Sequence, residues 1–182
     1  MRLFAAILLS NPVKDELMRT VENLRPHVLD GRFTRRENLH LTLAFLGETG
    51  NLKGAKRALH TIQSPAFEMV VEGLGRFRRD CGDILWAGVR KNARLFALAD
   101  RTQEAFGKEG FVLEKRPFAA HLTLGRQILL RDKEQMQSLS NLLESVSMPV
   151  EKVSLMCSDR VQGRLTYTEL DFVVLNKKTE IK

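Results

Sequence analysis

The tetrapeptide His40-Leu41-Thr42-Leu43 occurs a second time as His121-Leu122-Thr123-Leu124, 81 residues further along a chain of 182 residues. With average residue usage, a given tetrapeptide should occur by chance in only about one chain of this length in several hundred. The separation is close to half of the chain. The repeat therefore indicates an internal duplication or two parts of one paired site.

Each copy of the tetrapeptide lies in a segment that predicts a β-strand, at 39–46 and at 121–128. Successive side chains of a strand point to opposite faces of its sheet. The histidine and threonine of each copy therefore share one face, and its two leucines share the other. Two such strands facing each other across a cleft would present two imidazoles and two hydroxyls to one ligand.

This set of side chains is suited to chemistry at phosphorus. One histidine can remove a proton from a nucleophile while the other protonates the leaving oxygen in an in-line displacement. An unperturbed pKa of about 6.5 lets one ring be neutral while the other is charged near neutral pH. The hydroxyls of Thr42 and Thr123 can donate to the non-bridging phosphate oxygens. We therefore predict His40 and His121 as catalytic residues.

The pattern does not favour a metal or another cofactor, and we expect none. Zinc prefers three or four histidine, cysteine or carboxylate ligands, and threonine is not among them. The two other histidines, His27 and His60, lie in or beside predicted helices and are interpreted as surface residues. A Ser-His-Asp triad would need a nucleophile motif, which the sequence lacks.

Several further residues near the repeat are candidates for substrate binding. Arg126 follows His121 by five residues, an odd offset that puts it on the opposite face unless the strand twists or bulges. From the end of the strand it can still reach a phosphate. Four aromatic residues can stack a nucleobase, although core or rim packing is the more ordinary interpretation of each. They are Phe45, Phe77, Trp86 and Tyr167.

The rest of the sequence predicts an α+β fold. Hydrophobic patterns predict further strands at 2–9, 32–36, 67–74, 84–89, 150–157 and 165–175, and helices at 12–24, 52–62, 95–106 and 132–143. Several strand pairs are joined by loops too short for a crossover helix, which favours antiparallel or mixed sheets. No linker divides the halves. We expect one domain over 1–175 and a polar, fraying tail over 176–182.

Composition narrows the class of protein. Hydrophobic residues at 43% and charged residues at 28% exclude a disordered or fibrous chain. Two cysteines, Cys81 and Cys157, are too few for a disulfide framework or a four-cysteine zinc site, so we expect a reducing, cytoplasmic location. No segment approaches a membrane span. The net charge of +7 predicts polyanionic partners such as nucleic acid, nucleotides or acidic membranes.

The duplicated His-x-Thr-x pattern resembles the 2H phosphoesterase superfamily. Its wider contexts, over 36–48 and 116–126, are similar to the bacterial and archaeal RNA 2′,3′-cyclic phosphodiesterases, which are also called 2′-5′ RNA ligase-like. The opening Arg2-Leu3-Phe4-Ala5 and the closing Tyr167-Thr168-Glu169-Leu170 resemble that branch as well. The likeness extends to about Leu175.

The resemblance implies a bilobal α+β fold with pseudo-two-fold symmetry, antiparallel sheets lining a cleft, helices outside and no metal. It implies hydrolysis of a terminal RNA 2′,3′-cyclic phosphate to a 2′-phosphomonoester. His40 would be the proton donor and His121 the proton acceptor, with Thr42 and Thr123 on the phosphate oxygens. One departure is Ala120, where the family usually has proline before the second histidine, and it could loosen the approach to His121.

Two alternatives stay open at this point. The same site could join RNA through a 2′-5′ linkage, with an RNA 5′-hydroxyl in place of water. A chain that kept only the fold could bind RNA or nucleotides without turnover. In each case the expected partner is an RNA or oligonucleotide, and the sequence does not define the preferred base. The chain is expected to be a monomer without membrane contact.

Overall fold

The computed structural model describes residues 1–114, 116–131 and 136–176. Its strands are Arg2–Leu8 (β1), Val28–Phe33 (β2), His40–Glu48 (β3), Phe67–Phe77 (β4), Asp83–Val89 (β5), His121–Leu130 (β6), Val146–Val150 (β7), Lys152–Val161 (β8) and Arg164–Val174 (β9). The helices are Asn11–Leu24 (α1), Leu52–Thr61 (α2), Ala93–Lys108 (α3) and Met136–Leu139 (α4), with 3₁₀ turns at Arg25–His27, Arg36–Asn38 and Ser140–Leu142.

The strands form two sheets, in the orders β3-β1-β8-β9 and β2-β6-β5-β4-β7. Every neighbouring pair within a sheet is antiparallel, so the predicted α+β class is confirmed. Each sheet takes strands from both halves of the chain, because β8 and β9 join β1 while β2 pairs with β6. The two halves are therefore interleaved, which supports one folding unit.

The hydrophobic core lies between the sheets and the helices. Strand β1 buries both of its faces, with Leu3, Ala5 and Ile7 in the main core and Phe4 and Ala6 in a smaller cluster on the other side. A strand covered on both faces reads as a continuous apolar run, as this one does. Helix α1 contributes Val13, Leu17, Val21 and Leu24 at helical spacing. Among the described residues, no helix is long and apolar enough to cross a bilayer.

Some predicted elements differ from the structure. The strand expected at 32–36 is β2, which begins four residues earlier, bends around Gly31 at a φ of 136° and ends at Phe33. The strand expected at 150–157 is two strands, because β7 ends at Val150 and β8 begins at Lys152. Pro149 is tolerated in β7 because β7 lies at the edge of its sheet. Of the helix expected at 132–143, residues 132–135 lie outside the described part, and so does the tail beyond 176.

The two motif strands bulge at the same position. In β3, Thr42 and Ala44 pair with the consecutive residues Ala6 and Ala5 of β1, so one residue of β3 is extra. In β6, Thr123 and Gly125 pair with Trp86 and Leu85 of β5 in the same way. An extra residue exchanges the faces of all the side chains that follow it. The residue five positions after each motif histidine therefore returns to the histidine's face.

A second backbone irregularity in β6, at Gln127, is in close contact with two glycines of neighbouring segments. Gln127 adopts a φ of 56°, in the left-handed region. A Cβ on Gly31 would stand 2.8 Å from the Gln127 carbonyl oxygen, and a Cβ on Gly82 would stand 2.7 Å from its carbonyl carbon. Neither position has room for a side chain. The Gln127 side chain also accepts a hydrogen bond of 2.5 Å from Arg32. These contacts fix the backbone directly after Arg126.

Candidate active site

His40 is oriented by the backbone of the turn that precedes it. Its Nδ1–H donates to the Asn38 carbonyl at 2.7 Å, which leaves Nε2 without this proton. That Nε2 lies 3.0 Å from the Thr42 hydroxyl. Asn38 is itself buried, and its amide donates to the Leu165 carbonyl at 3.0 Å. The carbonyl that holds the ring is thus tied across the sheet to β9.

The His40 ring lies among aromatic side chains that make its surroundings apolar. Its centroid is 4.9 Å from that of Phe4 and 5.1 Å from that of Tyr167, which meets it edge to face at 88°. Burial lowers the pKa of His40, and the nearby positive charges of Arg126 and His121 lower it further, against the opposing effect of the Asn38 carbonyl. His121 is therefore close enough to His40 to influence the protonation of His40.

His121 repeats the geometry of His40. Its Nδ1–H donates to the carbonyl of Ala119, two residues earlier, at 2.7 Å. Phe77 meets the ring edge to face, with centroids 5.0 Å apart and an angle of 84°. Having alanine at position 120 does not remove the contact that orients the ring. The duplication thus extends from the sequence motif to the hydrogen bond and the aromatic neighbour of each histidine.

Arg126 faces the same side of β6 as His121, because of the bulge between Thr123 and Gly125. The odd offset in sequence therefore does not remove it from the site. Its charge lies near His40 and Tyr167, since it lowers the pKa of both groups. Burial is the larger effect on Tyr167 and raises the pKa of its phenol. Within the described residues, no hydrogen bond or ion pair occupies the Arg126 guanidinium.

Phe45 and Tyr167 also border this region. Phe45 occupies in β3 the position that Arg126 has in β6, is 47% exposed, and has its ring centroid 6.2 Å from that of Phe4. The duplicated frame therefore presents an aromatic ring on one strand and a cation on the other. An exposed aromatic ring is a surface on which a nucleobase can stack.

Sequence reasoning did not identify Phe4 and Asn38. Phe4 belongs to β1, in which every residue after Arg2 is apolar, so alternation cannot say which side chains face the site. Asn38 lies two residues before His40, and the equivalent Ala119 has only its carbonyl in common with it. Elsewhere, His60 lies on the surface 3.3 Å from Asp171.

No metal cluster was found in the described part of the chain, where no three histidine, cysteine, aspartate or glutamate side chains lie close enough to share an ion. The side chains gathered here include two imidazoles, the hydroxyls of Thr42 and Thr123, and the guanidinium of Arg126. This set matches the needs of a phosphoryl group between two histidines.

Comparison with known proteins gives consistent results. Residues 13–162 match the family model described as the 2′-5′ RNA ligase superfamily. A Thermotoga maritima protein named RNA 2′,3′-cyclic phosphodiesterase is 31% identical over 160 residues, which cover 85% of this chain and 82% of the relative. The Escherichia coli protein of the same name is 31% identical over 173 residues, or 93% of each chain.

Solved structures share the fold. The crystal structure of Escherichia coli LigT complexed with 3′-AMP is similar with a TM-score of 0.77 and 27% identity, covering 96% of this chain and 97% of that one. The Thermus thermophilus protein TT0787 has a TM-score of 0.78 at 23% identity, covering 98% of this chain and 100% of that one. The second similarity concerns the fold alone.

Proposed function

The chain belongs to the 2′-5′ RNA ligase superfamily, and from this membership we propose that it is an RNA 2′,3′-cyclic phosphodiesterase. It hydrolyses a terminal 2′,3′-cyclic phosphate to a 2′-phosphomonoester with a free 3′-hydroxyl. The observation that carries this proposal is the pair of histidines with matching orientation, each with a threonine beside it on the same strand face. The relatives that bear this enzyme name support the choice of substrate.

The two proton transfers follow from the orientation of the rings. The Nε2 lone pair of His121 accepts a proton from water as the water oxygen forms a bond to phosphorus. The bond from phosphorus to the 3′ oxygen breaks on the opposite side, and Nε2–H of His40 gives its proton to that oxygen. Each transfer contributes about 10²- to 10⁴-fold to the rate. A metal is not required by this scheme, since both protons move through histidine.

The remaining groups bind the phosphate and the nucleoside. Thr42, Thr123 and Arg126 donate hydrogen bonds to the non-bridging oxygens, where negative charge is redistributed in the transition state. Phe45 and Tyr167 stack against the terminal nucleobase on the β3 side. The net charge of +7 attracts the RNA as a polyanion. The substrate is thus an RNA or oligonucleotide end.

The product terminus tests the proposal. A short RNA ending in a 2′,3′-cyclic phosphate is incubated with the protein and EDTA, and the product is identified by its terminal phosphate. We expect a 2′-phosphate. A 3′-phosphate product would be consistent with the two-histidine mechanism but would show that the 2′ oxygen, not the 3′ oxygen, is the leaving group. A lack of turnover across pH 5 to 8 would refute the proposed activity.

We expect a pH dependence in which the acid limb of kcat/KM lies below about pH 6.5, the ordinary histidine pKa. Burial lowers the pKa of His40, so the His40 ring becomes charged only at a lower pH. Bound cyclic phosphate is an anion and favours charged His40, so the acid limb of kcat should move to higher pH. Profiles of both constants measure this, and coincident acid limbs would contradict it.

Ligation is the second candidate, because the matching family model is named for a 2′-5′ RNA ligase. An RNA 5′-hydroxyl would replace water as the nucleophile that His121 activates. The product assay distinguishes the two activities when a 5′-hydroxyl RNA acceptor is included. A joined 2′-5′ product that outcompetes hydrolysis would make ligation the principal activity.

A further inference from the structure

Two aromatic rings extend from His121 along the site-facing side of the second sheet. Trp86 pairs directly with Thr123 across β5 and β6, so the two side chains lie on the same face. Phe77 lies between the indole and the imidazole, with centroids 5.4 Å from Trp86 and 5.0 Å from His121. We call Phe77 and Trp86 together the aromatic shelf.

The shelf is not part of the hydrophobic core. Within the described residues, neither ring belongs to the main apolar cluster or to the smaller cluster around Phe4. Both side chains are half-buried. The indole N–H of Trp86 has no hydrogen-bond acceptor in the described part of the chain, although a buried indole usually has one. Neither packing in the hydrophobic core nor a hydrogen bond within the described residues therefore explains why a tryptophan occupies position 86.

The backbone beneath the shelf is shaped to hold a flat ring. Gly75 pairs with Trp86 across β4 and β5, and the indole lies so closely over it that a Cβ there would overlap the ring. Gly88 pairs with His121 across β5 and β6, and it has no side chain to cover the end of the shelf next to His121. The indole therefore packs against the β4 backbone at Gly75, on the sheet face that Trp86 shares with Thr123.

We propose that the aromatic shelf binds the nucleobase of the penultimate nucleotide, on the 5′ side of the terminal cyclic phosphate. This inference rests on the proposed function, in which the terminal base stacks on Phe45 and Tyr167. With the phosphate between His40 and His121, and the terminal base on the His40 side, the shelf is the aromatic surface that is available for a second base on the His121 side. Stacking on an aromatic side chain is tolerant of sequence, and every RNA base can occupy the shelf.

Fluorescence tests this binding mode directly, because Trp86 is the only tryptophan of the chain. The intact protein is titrated with a dinucleotide that ends in an unreactive 3′-phosphate, and separately with the matching nucleoside 3′-monophosphate. We expect the dinucleotide to quench the emission and the mononucleotide to leave it nearly unchanged. Phe77→Leu keeps the reporter and should weaken the dinucleotide quenching. Phe172→Leu, which removes an exposed ring on β9, is the matched control.

Kinetics give an independent measure. Wild-type kcat/KM should favour a dinucleotide 2′,3′-cyclic phosphate over the mononucleotide by about tenfold, the size of one stacking contact. Trp86→Leu should bring this ratio close to one by lowering kcat/KM for the dinucleotide far more than for the mononucleotide, and Trp86→Phe should restore most of the ratio. A merely structural role of Trp86 would lower kcat/KM for both substrates equally.

The outcomes separate this inference from the proposed function. Equal quenching by both ligands, or no quenching, would overturn the penultimate-base site even with full turnover. A wild-type ratio near one would also overturn it. Dinucleotide-selective quenching without turnover of any cyclic substrate would support the site while refuting the hydrolysis.

Discussion

Replacing either His40 or His121 with alanine is expected to lower kcat by about 10²- to 10⁴-fold, because each imidazole moves one proton in the transition state. His60→Ala is the matched control, since this histidine is exposed on α2 and should leave the rate unchanged. The measurement is single-turnover hydrolysis of a cyclic-phosphate RNA by variants with wild-type melting temperatures. Full activity in either site variant would refute the assigned chemistry.

The direction of each proton transfer can be tested with a modified substrate. A cyclic phosphate with sulfur in place of the 3′ oxygen has a leaving group that needs no proton. It should rescue His40→Ala, the variant without the proton donor, and leave His121→Ala inactive. Rescue of His121→Ala instead would reverse the two roles.

Removing the Arg126 side chain should produce the second large effect. Arg126→Ala is expected to lower kcat/KM by about 10²- to 10³-fold, comparable to the loss of one donor from an oxyanion hole. The arginine has no ion-pair partner in the described residues, and its charge lies close to His40. The pKa of His40 should rise in this variant, because one of the charges that lowers it is gone.

Two comparisons sharpen this prediction. Arg126→Lys retains the charge but loses the forked geometry, and it should recover part of the rate. Arg94→Ala removes an exposed arginine of α3 and should leave the rate unchanged. Unchanged kcat/KM in Arg126→Ala, together with an unmoved acid limb in the pH profile, would show that the guanidinium does not bind the reacting phosphate.

The principal features of the site could be predicted from local sequence patterns. The repeated tetrapeptide predicts the two strands, and alternation within each strand puts histidine and threonine on one face. Both inferences need only the two-residue period of a strand, so they do not depend on distant partners. The α+β class similarly follows from the lengths of the connections.

The position of Arg126 required information from outside its own strand. The extra residue in β6 is defined by its pairing with β5, and the backbone at Gln127 is held by Gly31 and Gly82 from other elements. Alternation alone puts Arg126 on the core face. The same limitation applies to Phe45. A sequence pattern reports neighbours along the chain, whereas a bulge depends on strand pairing across it.

The tie between Asn38 and β9 is likewise non-local. Asn38 and Leu165 are 127 residues apart, yet the amide of one donates to the carbonyl of the other. A buried asparagine before a strand has many ordinary explanations from sequence alone. Only the folded structure shows that this residue both orients His40 and reaches β9, the strand that carries Tyr167.

The interleaving of the two halves has a consequence for synthesis in the cell. Strand β1 is made first, but its partner β8 begins at Lys152. At about 5 to 20 residues per second, roughly 7 to 29 seconds pass before the ribosome reaches that partner. During this time β1 has an unpaired edge and two apolar faces. The nascent chain therefore presents an early binding site for chaperones, and the first sheet, which carries His40, is completed only after β8 and β9 have been made.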